Sequence, residues 1–186
     1  MKYSSVDFSF SCSAITILES PTIPKTVSFK NCRSYFLTDN KKFVKKIDNV
    51  QGIMMEEWSS NEQRFDQIAN QILELVNGSV YCFIEGYAFG AKGVVYQIGE
   101  ACGILQNKLY HASVLFEKFP PTTIKKFFTG SGKAKKPDMY QAFLKSENYD
   151  IRKIWEAGKA DSPFADVVDS FAILKYGVEK ILNQST

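Results

Sequence analysis

The most constraining feature of this chain is a short apolar run, Val80-Tyr81-Cys82-Phe83-Ile84, set directly after a helix pattern and closed by Glu85. Across residues 62–76, Phe65, Ile68, Ala69, Ile72, Leu73 and Val76 recur at the spacing of one helix face, and Asn77-Gly78 stops the pattern. An apolar run of strand length in that place suits a strand buried on both faces, which belongs in a parallel or mixed sheet. The chain therefore has to wrap a sheet in helices.

The flanking patterns extend this reading. Residues 3–18 alternate and are rich in Val, Phe and Ile, as one strand turning into a second. Residues 27–29 and 35–37 could be a further strand or its edge. A second helix is expected over residues 94–105 and another strand over 110–115. Pro120-Pro121 then breaks the chain before a short helix at 122–127, a Gly/Lys loop at 129–136 and a helical stretch at 137–144. The last helix has Ser162 as its expected N-cap, Pro163 at its first position and a periodic run to Leu182. Strands early, alternation in the middle and helix at the end define an α/β class: a mixed central β-sheet flanked by helices on both faces. The 186 residues suit one domain, spanning 1–186.

Cys12, Cys32, Cys82 and Cys102 show no C-x-x-C spacing and lie in apolar or small-residue settings, so they read as reduced structural thiols. Met1-Lys2-Tyr3-Ser4-Ser5 lacks the apolar core of a secretion signal, and no apolar run approaches a membrane span. The expectation is a soluble, cytoplasmic protein with no membrane partner. A net charge of +3 is too small to imply a polyanionic partner by itself.

The chemistry lies in acids embedded in apolar surroundings. Asp7 interrupts the first strand pattern, Glu85 ends the run at 80–84, and Asp166 and Asp169 stand three apart near the start of the last helix, on one face. Taken singly, Asp7 could be a turn residue, Glu85 could face solvent, and the aspartate pair could complement the helix dipole. Together they match the parts of a two-metal phosphodiesterase site. A buried carboxylate needs a partner, and hard divalent cations prefer oxygen ligands.

Three segments carry a resemblance to a known family. Phe83-Ile84-Glu85-Gly86-Tyr87-Ala88-Phe89-Gly90, continuing through Gly99-Glu100-Ala101-Cys102-Gly103-Ile104-Leu105, is similar to the strand–turn–helix holding the second acid of RuvC-type Holliday junction resolvases, of the RNase H-like superfamily. Residues 121–136, from Pro121-Thr122-Thr123-Ile124-Lys125-Lys126 through Thr129-Gly130-Ser131-Gly132-Lys133-Ala134-Lys135-Lys136, resemble that family's P-T-x-[VI]-K-K-x-x-T-G-x-G-x-A-x-K segment. Asp166-Val167-Val168-Asp169-Ser170-Phe171-Ala172 is similar to its C-terminal helix, in which many members carry His at the position of Asp166.

The resemblance implies an RNase H-like fold and a crossover junction endonuclease acting on branched DNA, especially four-way junctions. It implies that Asp7, Glu85, Asp166 and Asp169 bind two Mg²⁺ ions, for which Mn²⁺ can substitute. It also implies a homodimer with one active site per subunit. The E-G-Y-A-F-G form resembles the phage and viral branch, hence a phage protein acting in the host cytoplasm. The chain departs from the family at Phe8-Ser9-Phe10-Ser11-Cys12, where a longer Ser/Thr/Gly-rich turn is usual, and residues 23–61 have no clear counterpart.

DNA contacts are expected along residues 118–136, which hold six lysines and no acid. Lys125, Lys133, Lys135 and Lys136, with Thr129 and Gly130 in the loop, suit a phosphate backbone. Tyr87 and Phe89 follow Glu85, and the resemblance implies that one aromatic in this turn, Phe89 by preference, stacks on unpaired bases at the junction centre. A second cluster, Lys41, Lys42, Lys45 and Lys46, reads as one face of a surface helix and points to DNA more weakly. His111, the only histidine, reads as structural and strand-borne.

Overall fold

The computed structural model describes residues 1–86, 95–157 and 162–184. Seven strands form one mixed sheet: β1 (Lys2–Asp7), β2 (Ala14–Glu19), β3 (Cys32–Thr38), β4 (Lys46–Ile47), β5 (Val50–Met54), β6 (Tyr81–Glu85) and β7 (Phe116–Phe119). Their order is β4-β5-β3-β2-β1-β6-β7. β1 runs antiparallel to β2 and parallel to β6, while β3 is parallel to β5 and β6 to β7. Since β2 is also antiparallel to β3, five strands (β1, β3, β5, β6 and β7) end at the same edge of the sheet. The ends of the sheet are protected as edge strands usually are: β4 has two residues, and β7 carries Glu117 and Lys118.

Helices cover both faces, as the α/β reading requires. α1 (Asn61–Val76) and α2 (Val95–His111) pack on one face around Ile15, Ile17, Ile72, Ile84 and Leu105. α3 (Pro121–Thr129), α4 (Lys136–Glu147), α5 (Ile151–Ile154) and α6 (Phe164–Gln184) cover the other, around an aromatic cluster that includes Phe29, Phe36, Phe83, Phe143 and Phe171. α1 begins where Ser60 accepts a hydrogen bond from the Gln63 N–H, satisfying one of the free donors of its first turn. α6 lies across β1 and β2 and approaches β6 so closely at Gly177 that an added Cβ would sit 2.4 Å from the Phe83 ring. Only glycine lets this helix down onto the sheet.

Several sequence expectations need correction. Residues 110–115 are not a strand. α2 continues to His111 because Cys102, Leu105 and Leu109 extend its buried face at helical spacing, and the strand follows at β7. His111 is thus an exposed helix end. The expected strand at 27–29 is a loop leading into a 3₁₀ turn at Phe29–Asn31, whereas 35–37 lies within β3. Lys41, Lys42, Lys45 and Lys46 form no α-helix: Lys41 and Lys42 lie on a 3₁₀ turn at Lys41–Phe43, Lys45 in the bend that follows, and Lys46 at the start of β4. Ser162 does not cap α6, which starts at Phe164, where the Val167 N–H donates to the Pro163 carbonyl. The unplaced residues 23–61 supply β3, β4 and β5.

All four cysteines are free and buried. Burial pushes the Cys32, Cys82 and Cys102 thiols up to about 12, which keeps them protonated and unreactive at neutral pH. No helix among the described residues is long and apolar enough to cross a membrane.

Candidate active site

The parallel pairing of β1 with β6 places Val6 opposite Ile84. The next residues, Asp7 and Glu85, therefore end adjacent strands side by side. α6 then brings Asp166 and Asp169, one turn apart, over the same strand ends. Carboxylate oxygens of Asp7, Asp166 and Asp169 all lie within 4.8 Å of one another. Asp7 and Asp166 are only 8% and 6% exposed, so this cluster is built into the protein rather than displayed on it. Glu85 joins them on the wall of one cleft of about 560 Å³.

The electrostatics follow from crowding. Burial, then the charges of Glu85, Asp169 and Asp166, hold the Asp7 carboxyl well above the usual carboxylate range. Burial and the Glu85 charge lift Asp169 to about 7, against the pull of Lys136. Burial also raises Glu85, opposed by Lys125. Among the described residues one cation bonds into the cluster: the Lys136 ammonium donates to Asp166 Oδ1 at 2.5 Å. Burial draws this lysine down, but the hydrogen bond to Asp166 and the surrounding carboxylates outweigh it, so its pKa ends above the ordinary value. The other oxygen, Asp166 Oδ2, accepts from the Ser162 hydroxyl at 2.5 Å. Four acids against one bonded ammonium leave the cluster short of positive charge. Its donors are all hard carboxylate oxygens, so the residues present fit a divalent cation of the Mg²⁺ type.

The remaining predicted residues divide by location. Lys125 is half-buried on α3 and lines the cleft with Lys136. Thr129 ends α3 with its hydroxyl donating to the Lys125 carbonyl at 2.8 Å, and Gly130 follows as the left-handed cap at φ +83°. Their observed work is to shape the loop at 130–135, where Lys133 and Lys135 stand exposed. Tyr87 and Phe89 lie outside the described residues. Sequence reasoning missed the role of Ser162, read as a cap. The signal was its place four residues ahead of Asp166, the separation that lets a hydroxyl meet a carboxylate near a helix start. It also read Lys136 as a DNA contact only, where the structure ties it to an acid. Ser9 and Ser11, from the loop after Asp7, line the same cleft.

No protein-family model matches the chain, and no curated protein is detectably similar to it in sequence. The fold is that of the RNase H-like α/β proteins, and in particular of the RuvC resolvases. Thermus thermophilus RuvC superposes with a TM-score of 0.60 at 16% identity, covering 98% of this chain and 97% of that one. The same protein in complex with Holliday junction substrate gives 0.59 at 15% identity, covering 97% and 96%. The fowlpox virus resolvase in complex with Holliday junction DNA gives 0.57 at 14% identity, covering 98% and 99%. The resemblance read from three sequence segments thus has a structural counterpart over nearly the whole chain, viral relative included.

Proposed function

We propose that the protein is a divalent-metal-dependent DNA endonuclease that resolves four-way junctions by paired nicks, acting as a homodimer. The observation that carries this reading is the buried cluster of Asp7, Asp166 and Asp169, flanked by Glu85, at the strand ends of a RuvC-like fold. Two of the structural neighbours are complexes with Holliday junction DNA, which supports the choice of substrate.

In this reading Asp7, Glu85, Asp166 and Asp169 hold two Mg²⁺ or Mn²⁺ ions. Such ions, when bound, supply a hydroxide-like nucleophile and stabilise the leaving oxygen of the phosphodiester. The chain's own residues do the rest. Lys136 lines the cleft beside the acids with its side chain 46% exposed, and is assigned to meet a non-bridging phosphate oxygen. Lys125 lines the same wall. Ser162 and Lys136 grip both oxygens of Asp166 and fix the rotation of that carboxylate. Lys133 and Lys135, on the loop shaped by Thr129 and Gly130, continue the phosphate track. Tyr87 and Phe89, next to Glu85 in sequence, are assigned to stacking on unpaired bases at the junction centre.

The test is cleavage of a labelled mobile four-way junction beside a linear duplex of equal sequence, with Mg²⁺ and with EDTA. The expected result is paired, symmetric, Mg²⁺-dependent nicking of the junction alone. Equal cutting of flaps, forks and duplex would reduce the assignment to a general branched-DNA nuclease. Tight junction binding without cleavage would make it a silent binder.

A further inference from the structure

Outside the acid cleft, a strongly basic feature of the described surface is the segment joining β3 to β4. Between Asn40 and Ile47 it holds Lys41, Lys42, Lys45 and Lys46 and no acid. All four lysines are exposed, and none forms an ion pair among the described residues.

Topology puts this segment at the working end of the sheet. β3 runs parallel to β1, and Asp7 and Phe36 both pair with Ala14 of β2. The chain leaving β3 after Thr38 therefore emerges at the edge where Asp7 and Glu85 end. From β1 to β5 is three strand steps, about 15 Å at roughly 4.8 Å each.

Packing ties the segment to the catalytic helix. The Phe43 ring sits edge-on to Phe164 at 5.8 Å, two residues ahead of Asp166, and 6.5 Å from Trp155. Lys45 lies over the Trp155 ring at 5.4 Å. The backbone is also fixed. The Lys42 N–H donates to Asn40 Oδ1, the Gly52 N–H donates to the Lys45 carbonyl, and the Phe43 carbonyl presses so close to Gly52 that a Cβ there would lie 2.0 Å away. Ammonium groups on a turn this firmly seated keep a defined position relative to the acids. Free lysines of one sign, rigidly placed beside a cleft that would hold a phosphodiester, fit a polyanion that continues out of that cleft.

We propose that Lys41, Lys42 and Lys46 form a second phosphate-binding surface, which grips a duplex arm after it leaves the cleft. This rests on the nuclease reading and adds to it the path of the DNA. About 15 Å corresponds to roughly four base pairs of duplex at 3.4 Å per step. An arm longer than that reaches the lysines. Lys45, held over Trp155, serves the turn itself.

The experiment compares wild type, Lys41→Ala/Lys42→Ala/Lys46→Ala and the matching triple Arg variant for binding a long-armed four-way junction from 50 to 300 mM salt. Binding is measured in Ca²⁺ or EDTA, with melting temperatures as the control for folding. Each lost phosphate contact lowers the slope of log K against log salt by about 0.9. The Ala variant is expected to lose a slope of about 2–3 while melting as wild type does, and the Arg variant to keep the wild-type slope. A wild-type slope in the Ala variant overturns the proposal and leaves the nuclease reading standing. Equal loss in the Ala and Arg variants also overturns it, because charge is then not what matters. Failure of wild type to bind the junction at any salt defeats the nuclease reading itself, and this proposal with it.

Discussion

Two buried polar clusters lie side by side in this molecule, and they are satisfied in opposite ways. Ser5 precedes Asp7 by two residues on β1, and Ser170 follows Asp169 on α6. The hydroxyls of Ser5, Thr16, Ser34 and Ser170 are fully buried, and each has a partner inside the protein. Ser5 donates to the Ser170 carbonyl at 2.6 Å, Thr16 meets Ser170 at 2.6 Å and Ser34 at 3.1 Å, and Ser170 also reaches the Val167 carbonyl. One turn further along, Asp7, Asp166 and Asp169 crowd their oxygens together, and among the described residues Ser162 and Lys136 donate to Asp166 alone. The hydroxyl cluster closes on itself and locks α6 to the sheet. The acid cluster stays open, and burial turns its repulsion into raised pKa values. A polar group buried with all its partners is architecture; one buried without them is waiting for a ligand.

The largest effect should come from removing charge on the open side. Asp7→Asn, Glu85→Gln or Asp169→Asn should each lower junction cleavage by about 10³-fold or more, as loss of several kcal/mol of metal-based stabilisation implies. Gel-shift binding of the junction should remain. If all three bind no junction while folding normally, the assigned roles are wrong.

On the closed side the effect should fall on folding. Thr16→Val or Ser170→Ala leaves buried partners unmatched and should destabilise by about 1–3 kcal/mol in urea unfolding. The shift should be the same with and without Mg²⁺. A loss that appears only with the metal present would erase the distinction between the clusters.

The smallest effect belongs to the rim. Lys133→Ala with Lys135→Ala should weaken junction binding and lower its salt slope by about 2. An unchanged slope would move the DNA away from this loop.

How far the site was legible depends on which kind of order each residue obeys. Asp7, Glu85, Asp166 and Asp169 stood out because an acid inside an apolar pattern is visible one residue at a time. The α1 and β6 patterns were legible for the same reason: burial writes periodicity into sequence. β7 escaped because Phe116-Glu117-Lys118-Phe119 is short and charged, as an edge strand can be, while Tyr110 and His111 next door looked like strand and are helix. The grip of Ser162 and Lys136 on Asp166 was not visible either. It depends on where the loops before α6 and α4 come to rest, and no local propensity encodes that. Lys41 to Lys46 looked helical by spacing, but Phe43 anchors to Phe164 and β5 begins at Val50, so the turn has no room for a helix.

The central claim, that the acid cluster is built for divalent cations, is tested most directly by thermal unfolding at pH 5.5 and pH 8, with and without Mn²⁺. A carboxyl whose pKa is raised in the folded state binds its proton more tightly there than when unfolded. Stability is therefore greatest below the ordinary carboxylate pKa and is lost as pH climbs through the folded value, which for Asp169 is about 7. The metal-free protein should melt lower at pH 8 than at pH 5.5, and Mn²⁺ should restore the difference at pH 8 while doing little at pH 5.5. Asp169→Asn should flatten the pH dependence. A wild-type protein equally stable at both pH values and indifferent to Mn²⁺ at pH 8 would contradict the account.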